Sequence, residues 1–230
     1  MSAIYLVRHG QASFGAADYD LLSERGERQA SVLGNALADA QPRIGLVVSG
    51  DMQRHRQTAQ ACLRAMGREP QWRSDPGWNE FDHVRLIAAL RPDCTDPEQL
   101  RAELIAQPDP RRAFQALFEQ AVARWAGGTH DGDYAETWHA FRTRCRAALQ
   151  ALLDALPKGS DALVFTSGGP IAALAQELLH VPDSDGFRLN WGLVNCGVTK
   201  LVRGREGVRL STLNGHAHFE GEYAGLITYR

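Results

Sequence analysis

Cysteines are few in this sequence, and nothing in their spacing suggests a disulfide framework or a metal site. The four cysteines are scattered along the chain: Cys62, Cys94, Cys145 and Cys196. They form no Cys-x-x-Cys pair, and no His-Cys cluster has the spacing of zinc ligands. Free thiols in a reducing compartment fit this pattern, so we expect a cytoplasmic protein without a bound metal.

Long apolar runs and an excess of charge are also missing. No apolar run approaches the roughly 18 residues of a membrane-spanning helix, and the first predicted strand begins too near Met1 to leave room for a signal peptide. The 25 Lys and Arg residues nearly balance the 27 Asp and Glu residues, so we expect neither a nucleic-acid nor a membrane partner. The 44% hydrophobic content over 230 residues is that of an ordinary globular enzyme of one domain.

An apolar run at the start of the chain ends in charged residues. Residues 3–7 predict a strand buried on both faces, and Arg8, His9 and Gly10 follow at once. Because ligands of α/β proteins lie beyond the carboxyl ends of the strands, we expect Arg8 and His9 at the mouth of a site. The guanidinium would attract an anion, and the imidazole could attack a phosphorus atom. On these residues alone, a surface arginine and a packed histidine explain the pattern equally well.

The next segments predict alternating helices and strands. A helix capped by Ser23 runs to about residue 40, and residues 44–48 form a second buried strand. A further helix, with an apolar stripe that includes Ala59 and Cys62, closes at Gly67. The right-handed crossover rule places both strands in one parallel sheet, so their carboxyl ends converge at one edge.

The second half of the chain predicts a helical insertion and then a return to the sheet. We interpret residues 76–133 as a helical cap beside the site, in which residues 114–125 carry a clear apolar stripe. Four elements follow the cap: a helix over about 134–156, a buried strand over 162–166, a helix that begins at Gly168, and a hairpin of strands 198–203 and 208–213.

Five motifs stand in a fixed order along the chain: Arg8-His9-Gly10, Leu22-Ser23-Glu24-Arg25-Gly26, Arg54-x-x-Gln57-Thr58, Trp78-Asn79-Glu80-Phe81-Asp82 and Thr166-Ser167-Gly168-Gly169. In this order and at these separations, the set resembles the histidine phosphatase superfamily, which includes the cofactor-dependent phosphoglycerate mutases. The resemblance covers residues 3 to about 218. It implies a three-layer α/β/α sandwich whose mostly parallel sheet has an antiparallel edge strand, in a single domain over 1–230.

The resemblance also implies a reaction and the residues that carry it. The reaction is hydrolysis of a phosphorylated small molecule through a phosphohistidine on His9, with no cofactor. Arg8 and Arg54 match the phosphate-binding arginines of the family, since their planar forks suit phosphate oxygens. Glu80 matches the general acid. Asp82 is the alternative, because His83 and Val84 stand where the family often has glycine and the loop shape is therefore open.

Ser167 is the main departure from the family pattern. The family usually reads Ser-His-Gly-Gly here, and that histidine donates to the transferring phosphoryl group. Ser167 can donate one hydrogen bond, and the backbone N–H groups of Gly168 and Gly169 can hold an anion at the helix start. Three outcomes stay open: a slow enzyme, compensation by another histidine such as His83 or His216, or phosphate binding without catalysis.

Several other polar residues have simpler interpretations. His55 is expected on the surface of its helix, and His218, which matches a histidine of the family, is assigned a structural role. Gln11 lies in the first loop and could contact substrate, so we treat it as a substrate-binding candidate.

Two rival functions remain at this point. Phosphoglycerate mutase-type transfer would use Arg111 and Arg112 to grip a carboxylate, although a solvated helix start explains that pair better. Gly15 stands where mutases typically carry asparagine, which weakens the mutase interpretation. A phospho-ligand binding module without catalysis is the second rival. The substrate itself and the oligomeric state cannot be predicted from these motifs.

Overall fold

A computed structural model of the chain describes residues 1–13, 20–40, 42–69, 71–94, 96–182 and 187–229. The strands of one sheet are β1 (Ser2–Arg8), β2 (Ile44–Ser49), β3 (Arg73–Ser74), β4 (Asp161–Thr166), β5 (Val198–Gly204) and β6 (Gly207–Gly215). Their order across the sheet is β3-β2-β4-β1-β5-β6. The first four strands pair in parallel, whereas β5 and β6 are antiparallel to their neighbours. The predicted mostly parallel sheet with an antiparallel edge is confirmed.

The α-helices of the described residues are α1 (Glu24–Ala40), α2 (Gln53–Ala65), α3 (His83–Leu90), α4 (Pro97–Ile105), α5 (Pro110–Ala126), α6 (Trp138–Ala155), α7 (Gly168–Leu179) and α8 (Arg188–Trp191). Short 3₁₀ turns add Pro76–Trp78, Asp131–Asp133, Ala217–Phe219 and Gly221–Leu226. None of the helices in the described part of the chain is long and apolar enough to cross a membrane.

Two hydrophobic cores lie on opposite faces of the sheet. Successive side chains of a strand point to opposite faces, so Leu6 joins one core and Val7 joins the other. Val164 and Phe165 divide in the same way on β4. Helices α6 and α7 cover the core that contains Leu6, called the first core below, and α1 and α2 cover the second core, which contains Val7. Both faces are buried, which explains why these strands read as continuous apolar runs.

Local signals set most of the helix ends. The Gly26 backbone N–H donates to Ser23 Oγ at 3.1 Å, so Ser23 caps α1 as predicted. Gly67 has a φ of +69° just after α2, the left-handed conformation that ends many helices. The predicted start of α6 near residue 134 is wrong: Thr137 caps the helix by accepting from the Ala140 N–H at 3.1 Å.

The segment predicted as a cap contains α3, α4 and α5, and its aromatic residues join the first core. Phe81 packs edge-on against Phe141 of α6, with ring centroids 5.6 Å apart, and Trp125 lies 5.0 Å from Phe81. These contacts attach the segment to the body of the protein. The four cysteines are free thiols, as expected, and all four are buried.

Candidate active site

The candidate site lies where three neighbouring parallel strands end. Beyond β1, the His9 N–H donates to the Thr166 carbonyl of β4 at 2.9 Å. Beyond β2, the Gly50 N–H donates to the Phe165 carbonyl at 3.0 Å. Ser167 follows β4 between them. The polar residues that follow β1, β2 and β4 therefore leave the sheet side by side, at the edge where α/β proteins bind ligands.

His9 is buried, and its surroundings select one tautomer. Its Nδ1 lies 2.7 Å from the Gly10 carbonyl oxygen. A carbonyl can only accept, so Nδ1 carries the proton and Nε2 keeps a free electron pair. Burial lowers the pKa of His9 well below 6.5, and the positive charges of Arg54 and Arg8 lower it further. A neutral imidazole with an unprotonated Nε2 is the form that can act as a nucleophile.

The backbone around His9 is fixed from two sides. The Asn195 side-chain amide donates to the His9 carbonyl at 3.0 Å. Gly10 packs so closely on α1 that a Cβ there would overlap the Gly26 backbone. Asn195 is a positioning residue that the sequence analysis missed, because no motif surrounds it.

The Arg54-x-x-Gln57-Thr58 motif ties α2 to the loop after β1. Thr58 Oγ1 accepts from the Gly10 N–H at 3.0 Å and donates to the Arg54 carbonyl at 2.6 Å. Gln57 Oε1 accepts from the Leu22 N–H at 2.7 Å. The motif therefore positions the His9 loop as well as carrying the arginine.

Both predicted arginines are held by named partners. Arg54 is only 5% exposed, and its Nη1 lies 2.6 Å from Asp20 Oδ1. Arg8 Nη1 donates to the carbonyl oxygens of Leu193 and Tyr229, the latter at 2.7 Å. The positive charges of both arginines lower the pKa of His9. Asp20, which lies outside every motif used above, was missed by the sequence analysis.

Glu80 lies in the site, whereas Asp82 does not. Glu80 Oε2 accepts from the Gly169 N–H at 3.1 Å, and Oε1 accepts from the Phe81 N–H at 3.2 Å. Burial raises the pKa of Glu80 above 4.5, against the opposing effect of these hydrogen bonds and of the arginine charges. Asp82 is exposed and caps α3, where it accepts from the Arg85 N–H at 3.1 Å.

The segment that carries Glu80 is held between β4 and α6. Thr166 Oγ1 donates to the Trp78 carbonyl at 2.6 Å. Arg144 Nη1 donates to the Asn79 carbonyl at 3.0 Å. These contacts on both sides fix the position of the carboxyl group relative to the end of β4.

His55 is fully buried, so the prediction that it lies on the helix surface is wrong. Its ring centroid is 5.7 Å from that of His9, and its Nε2 is 2.6 Å from Ser167 Oγ. Burial, followed by the charge of Arg54, lowers its pKa well below 6.5. The missed signal is helical spacing: His55 precedes Ala59 by four residues and so extends the buried stripe of α2 by one turn.

The start of α7 differs in part from the predicted anion cradle. The Gly169 N–H is bonded to Glu80 and does not point to a free space. Gly168 lies against Asn190, because a Cβ at Gly168 would overlap Asn190 Oδ1 and lie 3.7 Å from Arg8 Nε. Gly168 therefore lies next to Arg8, as a phosphate-binding residue should, and also contacts Asn190, a polar neighbour that the sequence analysis did not predict.

His83 and His216, the two candidates for compensating Ser167, make other contacts. His83 packs edge-on against Phe118, with ring centroids 6.3 Å apart, although Arg54 still contributes to lowering its pKa. His216 has its Nδ1 2.7 Å from the Asn214 carbonyl oxygen, and its charge acts on His218. His55, whose Nε2 contacts Ser167 Oγ, also contributes to lowering the pKa of His9.

The remaining candidates lie at the margin of the site or beyond the described residues. Gln11 is half-buried, and its Oε1 accepts from Ser23 Oγ at 3.3 Å, so part of its side chain is engaged with the start of α1. Gly15 and the side chain of Arg111 lie outside the described part of the structure, and the Arg112 side chain is exposed. The described residues contain no group of three or more His, Cys, Asp or Glu that could hold a metal ion.

Comparisons with known proteins agree with this architecture. A family model described as the histidine phosphatase superfamily (branch 1) matches residues 4–216. No curated protein matches the chain.

Solved structures with the same fold include mutases and phosphatases. A phosphoglycerate mutase from Bacillus anthracis aligns with 94% of this chain and 94% of its own, with a TM-score of 0.66 and 19% identity. A mycobacterial glucosyl-3-phosphoglycerate phosphatase aligns with 94% and 100%, with a TM-score of 0.60 and 22% identity. An Entamoeba histolytica phosphoserine phosphatase mutant, in complex with phosphoserine, aligns with 95% and 99%, with a TM-score of 0.58 and 14% identity. At these identities the likeness establishes the fold alone.

Proposed function

The chain belongs to branch 1 of the histidine phosphatase superfamily, and from this premise we propose that it is a phosphomonoester phosphatase acting through a phosphohistidine on His9. The observation that carries the proposal is the state of His9. Its Nδ1 is bonded to the Gly10 carbonyl, its pKa is lowered, and the charges of two arginines act on it. Such an imidazole presents a free Nε2 lone pair to an anionic group.

In the first step, His9 Nε2 attacks the phosphorus and the ester P–O bond breaks. Glu80, whose raised pKa favours its protonated form, donates that proton to the leaving alcohol oxygen. Arg8 and Arg54 hold the phosphoryl oxygens and balance the charge that spreads over them. The products of this step are a free alcohol, a phosphohistidine and an ionised Glu80.

In the second step, water attacks the phosphorus of the phosphohistidine. The Glu80 carboxylate accepts a proton from that water, the P–N bond breaks, and inorganic phosphate leaves. The two backbone N–H donors on Glu80 stabilise its ionised form between the two steps. His9 and protonated Glu80 are regenerated, so the cycle closes without a cofactor.

The substrate class that we propose is a phosphorylated small molecule, handled in the cytoplasm. The site gathers side chains at one sheet edge, and residues 76–133 are the segment that we predict to be its cap. The formal net charge of −2 gives no support to a nucleic-acid or membrane partner. The part of the substrate beyond the phosphate would meet the cap segment, which contributes Glu80 itself.

Turnover of an aryl phosphate tests the proposal directly. Wild type should release inorganic phosphate and, after a rapid quench, carry an acid-labile phosphoryl group on His9. His9→Ala should lose both signals, whereas His139→Ala, which changes an exposed histidine, should keep both. Equal activity of wild type and His9→Ala would contradict the mechanism. Isomerisation of phosphoglycerate without phosphate release would instead identify a mutase.

A further inference from the structure

His55 is a buried polar side chain that the mechanism above does not use. It is fully buried on α2, and its Nε2 lies 2.6 Å from Ser167 Oγ. Its Nδ1 has no hydrogen-bond partner among the described residues. Because a buried donor without a partner is costly, the proton belongs on Nε2, from which it is donated to Ser167 Oγ.

Ser167 does not cap its helix with its side chain, which is the usual role of a serine at a helix start. It is the N-cap of α7, but its side chain makes no capping hydrogen bond. The first-turn donors explain this: the Gly169 N–H is bonded to Glu80, and Pro170 has no N–H. The Ser167 hydroxyl therefore accepts from His55 and keeps its own hydrogen for another acceptor.

The position of Ser167 beside His9 suits a hydroxyl that donates to the reacting group. Arg8 on β1 is level with Thr166 on β4, so His9 and Ser167 are the next residues along paired neighbouring strands. Paired strands lie about 4.8 Å apart. The His9 ring also lies 5.7 Å, centroid to centroid, from the His55 ring that contacts Ser167 Oγ, so a phosphoryl group on His9 would adjoin the Ser167 hydroxyl.

We propose that Ser167 and His55 form a two-residue donor to the phosphoryl group: His55 Nε2–H donates to Ser167 Oγ, and the Ser167 hydroxyl donates to a phosphoryl oxygen. Ser167 is then a catalytic residue and His55 its positioning residue. The pair stands in for the single histidine that the family carries at the position of Ser167. No bond forms or breaks within the pair. The inference rests on the proposed phosphatase function.

Two substitutions of His55 distinguish a role as hydrogen-bond donor from a role as a side chain that only fills space. His55→Gln keeps an N–H donor at nearly the place of Nε2, whereas His55→Met fills the space without a donor. Loss of a donor to the transition state costs on the order of 10²–10³-fold in rate. We expect kcat for an aryl phosphate to fall about 10²-fold in His55→Met with KM little changed, and to fall much less in His55→Gln.

A double-substitution cycle tests whether the two residues act as one unit. Ser167→Ala should lower kcat about as much as His55→Met, and combining the two should cost little more than either alone. Ser167→Ala removes only one oxygen from the interior, so it keeps the test valid if a His55 variant fails to fold. Circular dichroism and thermal unfolding identify such a failure.

The outcomes distinguish this inference from the proposed function. Wild-type turnover in His55→Met, a rate in His55→Gln no better than in His55→Met, or multiplicative losses in the double variant would each overturn the donor pair while leaving the phosphatase intact. A wild type that releases no phosphate from an aryl phosphate and carries no phosphoryl group on His9 would overturn both.

Discussion

Gly169→Ala is the substitution that tests most sharply how Glu80 is positioned. A Cβ at Gly169 would overlap Glu80 Oε1 and lie 2.9 Å from the Phe81 ring. The carboxyl group must therefore move by roughly 1 Å or more, a displacement that can cost about 10²-fold in rate. The Gly169 N–H that donates to Glu80 is kept in the variant, so the substitution changes the position of the Glu80 carboxyl group without removing its hydrogen-bond donor.

The stability of Gly169→Ala should change little. Alanine gains up to about 1 kcal/mol of helix propensity over glycine, and a local overlap in a packed interior costs typically about 1–3 kcal/mol. The net change in the free energy of unfolding should therefore stay within about 2 kcal/mol, as measured by urea denaturation. A large loss of activity together with a small change in stability would therefore come from the displaced Glu80 carboxyl group.

The assay compares two leaving groups. Alkyl alcohols need a proton from Glu80 to leave, whereas a nitrophenolate needs much less help, so general-acid loss should reach about 10²-fold only for an alkyl phosphate. Gly132→Ala is the matched control, because a Cβ at Gly132 would meet nothing within 4 Å. Equal losses of kcat/KM for both substrates, or no loss for either, would refute the role of Glu80 as the acid, because kcat/KM excludes the later hydrolysis step in which Glu80 serves both substrates alike.

Three further predictions concern the charges of the site. Arg54→Lys keeps the charge but loses the planar fork held by Asp20, so inhibition by inorganic phosphate should weaken about tenfold or more. The pH profile of wild-type kcat/KM should fall on the acid side below pH 6.5, where His9 becomes protonated, and on the alkaline side above pH 4.5, where Glu80 ionises. In Glu80→Gln, whose side chain cannot ionise, the fall on the alkaline side should be absent. The folded-state pKa values of His9 and His55 are lowered, so below pH 6.5 the unfolded chain binds more protons than the folded chain. The free energy of unfolding should therefore fall on acidification by up to about 1.4 kcal/mol per pH unit for each histidine. His55→Met should make that slope shallower in urea titrations, and an unchanged slope would contradict the burial of a neutral His55.

Much of the fold could be predicted because the sheet is buried on both faces. Continuous apolar runs identified β1, β2 and β4, and the crossover rule placed the carboxyl ends of β1 and β2 at one edge of the sheet. In the structure β4 lies between these two strands. The hairpin of β5 and β6 followed from its glycine-containing turn. The start of α6 was misplaced because an apolar pattern does not show which polar residue caps the helix, and Thr137 takes that role.

The site was harder to predict, because its missing parts depend on contacts between distant segments. Asp20 pairs with a residue 34 positions later, and Asn195 donates to a residue 186 positions earlier. His55 was assigned to the surface because it follows Arg54 directly, although its spacing from Ala59 places it on the buried stripe. A polar residue on an apolar stripe is the signal that sequence reasoning could have used.

The position of a bound anion tests the central claim most directly. In a crystal structure with inorganic phosphate or vanadate, the account predicts the anion within hydrogen-bond reach of His9 Nε2, the guanidinium groups of Arg8 and Arg54, and Ser167 Oγ. An anion bound away from His9, or Arg8 and Arg54 turned toward separate places, would contradict it.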